Sequence, residues 1–447
     1  VERVKHLLRE FSRSYRSQPK VQSQAFSSFL HTLVQADEIE AAQVVFETFL
    51  VPEIVKALDS GVQVRFPNIR HFNILLNGLR NAMSRKKTLA EKQEIRDDSS
   101  RLYRTMMKAK IKPDEYTLTI LMGMADSSTE IVKLLRTAVD KGVDVTPVVL
   151  RSMLAACGEI NDPDSACWLF DSFRQELSDA KTWNALVGAL AASAALDSYT
   201  KVKSKSSEAA VSLGEDFAVV GKPVQCRSIT TILDGRTSSQ AALMVLNIMN
   251  RNNVDMPFRT PRPNTQTYCL VASAMQHGET DSIVAQELFW NATNANIPAD
   301  GRFVNAIFRC FGPDIEGALK AWKGGVRQAC LAAEQKASSN SKRSTAKNLL
   351  AAYQGLLYVC GRALRPDIAL RLVYAMNKEG VQVNEMALQC FLAGKRKELA
   401  DAENDASPTK RPVAFGEQIE ALLSVECTKY DTKDKRRESD KRVRIIL

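Results

Sequence analysis

The stretch RPNTQTYCLVASAMQHGETDSIVAQELFWNATNANIPAD, Arg262 to Asp300, decides the fold. Tyr268, Val271, Ala272 and Met275 recur at the spacing of one helix face. A polar break follows. A second apolar run then places small Ala285 four residues before bulky Phe289, and IPAD closes the unit. The order is helix, turn, helix, loop, which makes one α-hairpin.

The same unit recurs along the chain, so the period sets the architecture. Closing loops stand at RFPN (Arg65–Asn68), IKPD (Ile111–Asp114), DVT (Asp144–Thr146), RPN (Arg262–Asn264), IPAD (Ile297–Asp300) and VQVN (Val381–Asn384). The steps Asp114 to Thr146, Thr146 to Asp179 and Asn264 to Asp300 are 32, 33 and 36 residues. First helices align as HFNILLNGL from His71, YTLTILMGM from Tyr116, TWNALVGAL from Thr182, SITTILDG from Ser228, TYCLVASAM from Thr267 and FVNAIFRCF from Phe303. Second helices share small Ala42, Ala166, Ala242, Ala285 and Ala369, each followed four residues later by a larger side chain. A small residue there lets neighbouring helices approach, and the larger one fills the gap. The expected fold is all-α, an α-α superhelical solenoid of stacked helix-turn-helix hairpins whose first helices line one inward-curving trough.

These motifs resemble the pentatricopeptide repeat family, whose unit reads T-Y-N-x-L-I, then A, L-F, M, G and P-D. The matches with most detail are HFNILLNGL with its following P-D, TWNALVGAL and RPNTQTYCLVASAM. The likeness covers most of Ala25–Phe391, about nine hairpins. Tetratricopeptide repeats are excluded by the missing W-x2-L-G-x2-Y signature.

The resemblance implies that each repeat binds one base of single-stranded RNA through two side chains, one early in the first helix and one at the repeat end. The pairs so implied are Ser27 with Asn68, Asn73 with Asp114, Thr119 with Thr146, Arg151 with Asp179, Asn184 with Gln225, Thr230 with Asn264, Cys269 with Asp300, and Gln354 with Asn384. Asn305 has no assigned partner. Asn with Asp implies uracil at Asn73/Asp114, and Thr or Ser with Asn implies adenine at Thr230/Asn264 and Ser27/Asn68. Arg151 and Cys269 depart from the family's combinations. Stacking or phosphate contact is implied for Arg70, Tyr116, Val148, Lys181, Arg227 and Arg302, where the family favours an apolar residue and only Val148 complies. A short amide, hydroxyl or carboxylate suits the Watson–Crick edge of an exposed base. Asn, Asp and Thr before a helix also act as caps, so both readings of the repeat ends stand.

Composition agrees with a helical binding protein. Apolar residues are 45% and aromatics 7% of 447 residues, and the net charge of +10 favours a polyanionic or acidic partner. Nine scattered cysteines with no C-x-x-C pair point to a reducing compartment rather than a disulfide scaffold. No apolar run reaches the length of a membrane span. Residues 1–24 read as an Arg- and Ser-rich remnant of a targeting segment otherwise absent from this chain, or as an amphipathic first helix. Residues 25–331 read as a repeat array carrying the insert Phe49–Val64 and the polar inserts Ser84–Asp98 and Ala194–Glu208. Residues 332–347 read as a low-complexity linker, 348–395 as the final repeats, and 396–447 as a charged, disordered tail with one short helix at Glu417–Val425, or arms that order on a partner.

Catalytic patterns are missing. His6, His31, His71 and His277 form no H-E-x-x-H and no zinc-deaminase motif, and Gly324-Gly325 lacks a phosphate-loop context. His31 and His71 read as surface or packing residues, and Trp168, Trp183, Trp290 and Trp322 as core. The expectation is a non-enzymatic organellar RNA-binding protein, of mitochondrion or plastid, acting in RNA maturation, stability or translation. It needs no cofactor, metal or small-molecule substrate. The alternative is a structural subunit of a large ribonucleoprotein such as an organellar ribosome, making mainly protein contacts.

Overall fold

The structure is a computed structural model describing residues 10, 19–64, 66–86, 88–140, 142–173, 179–197, 229, 236–250, 260–276, 282–338 and 345–405. All regular structure among them is helical. Contacts divide the chain into two compact units: Val1–Leu196 with Lys201–Asp234 and Val254–Pro261, and Asp197–Thr200 with Gly235–Asn253 and Arg262–Leu447.

In the first unit, first helices are α1 (Pro19–Gln35), α4 (Ile69–Arg85), α6 (Glu115–Met122), α8 (Pro147–Glu159) and α10 (Ala180–Asp197). Second helices are α2 (Ile39–Val45), continued by a π turn at Phe46–Leu50 into α3 (Val51–Asp59), then α5 (Leu89–Lys108), α7 (Ser128–Asp140) and α9 (Pro163–Phe173). In the second unit, α11 (Ser238–Asn250), α13 (Ser282–Asn294), α15 (Ile315–Ala321), with a π turn at Trp322–Val326 and α16 (Arg327–Ser338), and α18 (Pro366–Lys378) are second helices. Their partners are α12 (Thr265–Met275), α14 (Gly301–Arg309), α17 (Thr345–Arg362) and α19 (Glu385–Asp405). Within each unit, successive first helices lie side by side, α1 to α4 to α6 to α8, and α12 to α14 to α17 to α19.

The small-then-bulky pattern builds the core. Ala42, Ala166, Ala242, Ala285 and Ala369 are all buried, as are the residues four later: Phe46, Phe170, Leu246, Phe289 and Val373. Each bulky ring meets the next first helix. Phe46 packs edge-on against Phe72 at 5.0 Å, Phe170 against Trp183 at 4.9 Å, and Phe289 stacks on Phe303 at 6.0 Å. Each such pair adds roughly 0.5–1.5 kcal/mol beyond its area burial. Ala318 and Trp322 repeat the device one hairpin further on.

The junction between hairpins is nearly constant. Lys110, Gly142, Asn296 and Gly380 adopt left-handed backbone with φ of 55°, 69°, 58° and 73°. Each stands four residues before a helix cap: Asp114, Thr146, Asp300 or Asn384. The next residue returns its N–H to the helix just ended, as Ile111 to Met106 O at 3.1 Å and Val381 to Met376 O at 2.9 Å. This C-terminal clasp satisfies the helix's last carbonyls.

Several sequence expectations are corrected here. The insert Phe49–Val64 is mostly helix, since the π turn carries α2 into α3. Of the insert Ser84–Asp98, Ser84 and Arg85 end α4, and Leu89–Asp98 are the first half of α5, opened by a capping box between Thr88 and Glu91. α16 runs to Ser338 and α17 starts at Thr345, so both ends of the expected linker are helical. α19 continues to Asp405, into the expected tail, because Glu398 takes the Arg362 guanidinium at 2.8 Å and Lys397 donates to Gln276 O at 2.7 Å. The short helix expected at Glu417–Val425 lies outside the described residues. Trp290 is 42% exposed rather than core, while Trp183 and Trp322 are buried.

Candidate nucleic-acid interface

The first helices share one register, counted from the residue before each helix. Asn68, Asp114, Thr146, Asn264 and Asp300 are N-caps whose side chains accept helix N–H groups. Asp179 accepts from Thr182 N at 2.9 Å, and Asn384 from Ala387 N at 2.9 Å. Capping is therefore the role each described repeat-end residue fulfils, each worth roughly 1 kcal/mol.

Two residues past the cap stand Arg70, Tyr116, Val148, Lys181, Gln266, Arg302 and Met386, all exposed. Tyr116 is 52% and Val148 43% exposed, although both open helices whose next two residues are buried. Three past the cap, His71, Thr117, Val149, Thr182, Thr267, Phe303 and Ala387 are fully buried. Five past the cap lie Asn73, Thr119, Arg151, Asn184, Cys269 and Asn305, at the rim between core and exterior. The 3.6-residue period puts the second and the fifth residue on one edge of each first helix, and the cap of the following helix meets that edge at Asn73/Asp114 and Arg151/Asp179.

That edge holds the implied pairs in different states. Asn73 and Asp114 meet directly: Asn73 Nδ2 donates to Asp114 Oδ1 at 3.1 Å. Asn73 Oδ1 accepts from Thr117 Oγ1 at 2.7 Å. Arg151 and Asp179 also meet, as an ion pair at 3.3 Å. Ser27 and Asn68 do not: Ser27 Oγ lies 3.2 Å from His71 Nε2, and Asn68 Nδ2 donates to Ser23 Oγ at 3.1 Å. Thr119 donates to its own helix at Tyr116 O, 2.9 Å away, while Thr146 caps Val149. Cys269 is half-buried, and its thiol is pushed up to about 12 by burial and then by the Asp300 carboxylate. Asn305 Oδ1 accepts from Arg309 Nε at 2.9 Å. Gln354 is half-buried on α17, and Asn184 is buried on α10. Gln225, Arg227 and Thr230 lie outside the described residues.

One cavity gathers the implied parts. It measures about 440 Å³ and is lined by Arg70, Asn73, Asp114 and Tyr116, together with His31, Asn77, Asn81 and Arg85. This is the range of small-ligand pockets. Asn73, Asn77 and Asn81 fall at successive turns of α4, a polar strip of which only Asn73 belongs to an implied pair. Its signal was the four-residue spacing of identical amides. Met386 was missed, although it stands two residues past the repeat end Asn384, the same count that gave Arg70, Tyr116 and Val148. Arg85 pairs with Asp37 at the far end of the strip. His71 is a packing residue: Nδ1 accepts the Asn68 N–H at 3.2 Å, so Nε2 carries the proton toward Ser23 O at 3.1 Å. Burial lowers its pKa, against the pull of those backbone bonds.

Among the described residues no cluster of three or more His, Cys, Asp or Glu could hold a metal. No described helix is long and apolar enough to cross a membrane. No protein-family model and no curated protein matches the chain. Among solved structures it is similar to the pentatricopeptide repeat protein PPR10 from maize, at 15% identity and a TM-score of 0.31, over 95% of this chain and 59% of that one. PPR10 in complex with an 18-nt psaJ RNA element gives 16% identity and a TM-score of 0.28, over 94% and 60%. The chain thus spans less than two thirds of either. At those TM-scores the likeness carries no weight for fold or ligand, and the fold rests on the helices and packing described above.

Proposed function

We propose that the chain binds single-stranded RNA along the exposed edges of its first helices and acts without chemistry, in RNA maturation, stability or translation. The observation that carries this reading is the Asn73–Asp114 pair, set in one cavity with Arg70 and Tyr116. Asn73 gives one amide proton to Asp114 and keeps another, and a carboxylate has lone pairs beyond those used here. A donor beside an acceptor suits a base with a carbonyl next to a ring N–H, as in uracil. Tyr116 offers a ring face for stacking, and Arg70 a cation for a base or phosphate.

Fluorescence anisotropy with short oligonucleotides tests it. The protein should bind a uracil-containing single strand, and Asn73→Ala should flatten base preference while leaving salt dependence unchanged. No binding at low salt would end the proposal. An organellar setting, mitochondrion or plastid, draws support from the Arg- and Ser-rich opening sequence, and cell fractionation would test it.

A second reading, a structural subunit of a ribonucleoprotein such as an organellar ribosome, draws support from apolar side chains exposed on the second helices. Val55, Leu58 and Val62 stand out at α3 and just beyond it, and Leu370 and Tyr374 on α18. Co-sedimentation with a large particle, without affinity for free RNA, would favour it.

A further inference from the structure

Two hydrogen bonds recur at the same register. Ser27 and His71 are 44 residues apart, as are Asn73 and Thr117. In both, a fully buried side chain three past the cap of one first helix reaches the residue at the reading position of the helix before. Where the buried residue is apolar this link is gone. Val149 follows Thr119, and the Thr119 hydroxyl turns to its own helix at Tyr116 O. Phe303 follows Cys269 and Ala387 follows Gln354 in the same register.

The Thr117 hydroxyl has one proton and three neighbours. It accepts the Asp114 N–H at 3.3 Å and lies 2.7 Å from Asn73 Oδ1 and 2.8 Å from Asp114 Oδ1. Asp114 Oδ1 already receives the Thr117 N–H at 2.8 Å and an Asn73 N–H at 3.1 Å. The proton therefore satisfies most groups when it points to Asn73 Oδ1. With its oxygen held from one side and an N–H held from the other, the amide has a single orientation. Flipping it would set Asn73 Oδ1 against the Asp114 carboxylate, two acceptors with no proton between them, and would turn the Thr117 proton onto the already occupied Asp114 Oδ1.

We infer that Thr117 is a positioning residue for the base read by Asn73, a third determinant drawn from the following repeat and buried out of the ligand's reach. The inference rests on the RNA-binding reading of the Asn73–Asp114 pair. It assigns base discrimination to a residue that touches no base. In the same register His71 Nε2 lies 3.2 Å from Ser27 Oγ, sharing its proton with Ser23 O, whereas repeats followed by Val149, Phe303 or Ala387 have no such lock.

Thr117→Val keeps the shape and removes the hydroxyl, and Thr117→Ser restores it. The assay walks a single uracil through a short cytosine strand and compares affinities. Thr117→Val should reduce the uracil preference by about fivefold, the scale of one hydrogen bond, while leaving affinity for the all-cytosine strand unchanged. Serine should recover the preference. A separate readout needs no RNA: the Asn73 side-chain amide resonances should be distinct and slowly exchanging in the native protein and should broaden or shift in Thr117→Val. Equal loss of affinity for both strands, or an unaltered amide signal, overturns the inference. If no strand binds at all but the amide signal changes, the lock stands and the RNA reading falls.

Discussion

Arg151 and Asp179, each at a position expected to face a base, instead face each other, with Nη1 3.3 Å from Oδ2. Asp179 also caps α10 through Thr182. Its carboxylate is thus shared between a cation and a helix end, and this repeat offers no free acceptor edge comparable to that of Asp114. Arg151→Asn should release Asp179 and create a base preference where the native protein has none, read by the same uracil walk. Stability should change by less than about 1 kcal/mol, because partly exposed ion pairs contribute little.

His71 predicts a pH dependence of the first unit. Burial lowers its pKa below 6.5, so the unfolded chain takes up the proton first as pH falls. Its contribution to stability is whole above about 6.5 and declines as pH drops toward the folded pKa. Thermal melts between neutral and mildly acidic pH should show this decline, and His71→Gln should lessen it. A melting temperature equally pH-sensitive in both proteins would count against the assignment.

Gly361 of α17 and Gly394 of α19 occupy one helix crossing. A Cβ on Gly361 would strike Phe391 O, and one on Gly394 would strike Tyr358 O. Both obstacles are backbone, so neither can swing aside. Alanine at either site should destabilise the second unit by about 3 kcal/mol, near the upper end for overpacking. The double variant should cost less than the sum, because the first substitution already parts the helices. Denaturant titration of the three variants reads both results.

Thiol chemistry should be slow. Burial pushes Cys310 and Cys360 up to about 12 and also raises Cys157 and Cys167. The thiolate is the reactive form, so alkylation at pH 8 should proceed only as the helices open. Mass spectrometry should find these sites unmodified in native protein and labelled together in denaturant.

Much of the fold was legible because hairpin packing imposes local rules. Ala42, Ala166 and their equivalents could be found from a small residue followed at four positions by a large one, and all are buried. The first-helix register could be read because caps and apolar spacing coincide. What sequence hid was of two kinds. Polar helices such as the start of α5 bury little, so their periodicity is faint, and Thr88 with Glu91 was the clue. Long-range tethers such as Lys397 to Gln276 O leave no local trace. The pairing state of the reading positions was hidden too. Arg151 stands out in the sequence as a departure from the family's combinations, but only the structure shows that it neutralises Asp179 while Asn73/Asp114 keeps a hydrogen-bond edge. Trp290 was misjudged because large aromatics are usually inside, whereas it sits outward beside Gly325.

The left-handed residue four places ahead of a cap works as a reset. Whatever the length of the helix before it, the chain leaves that clasp with the same phase and enters the next first helix in register. α5 and α7 differ in length by two turns, yet Asp114 and Thr146 begin equivalent helices. Such an array can gain or lose residues on its outer row without scrambling the order of side chains on its inner row, so the outer row is where kindred chains are free to diverge.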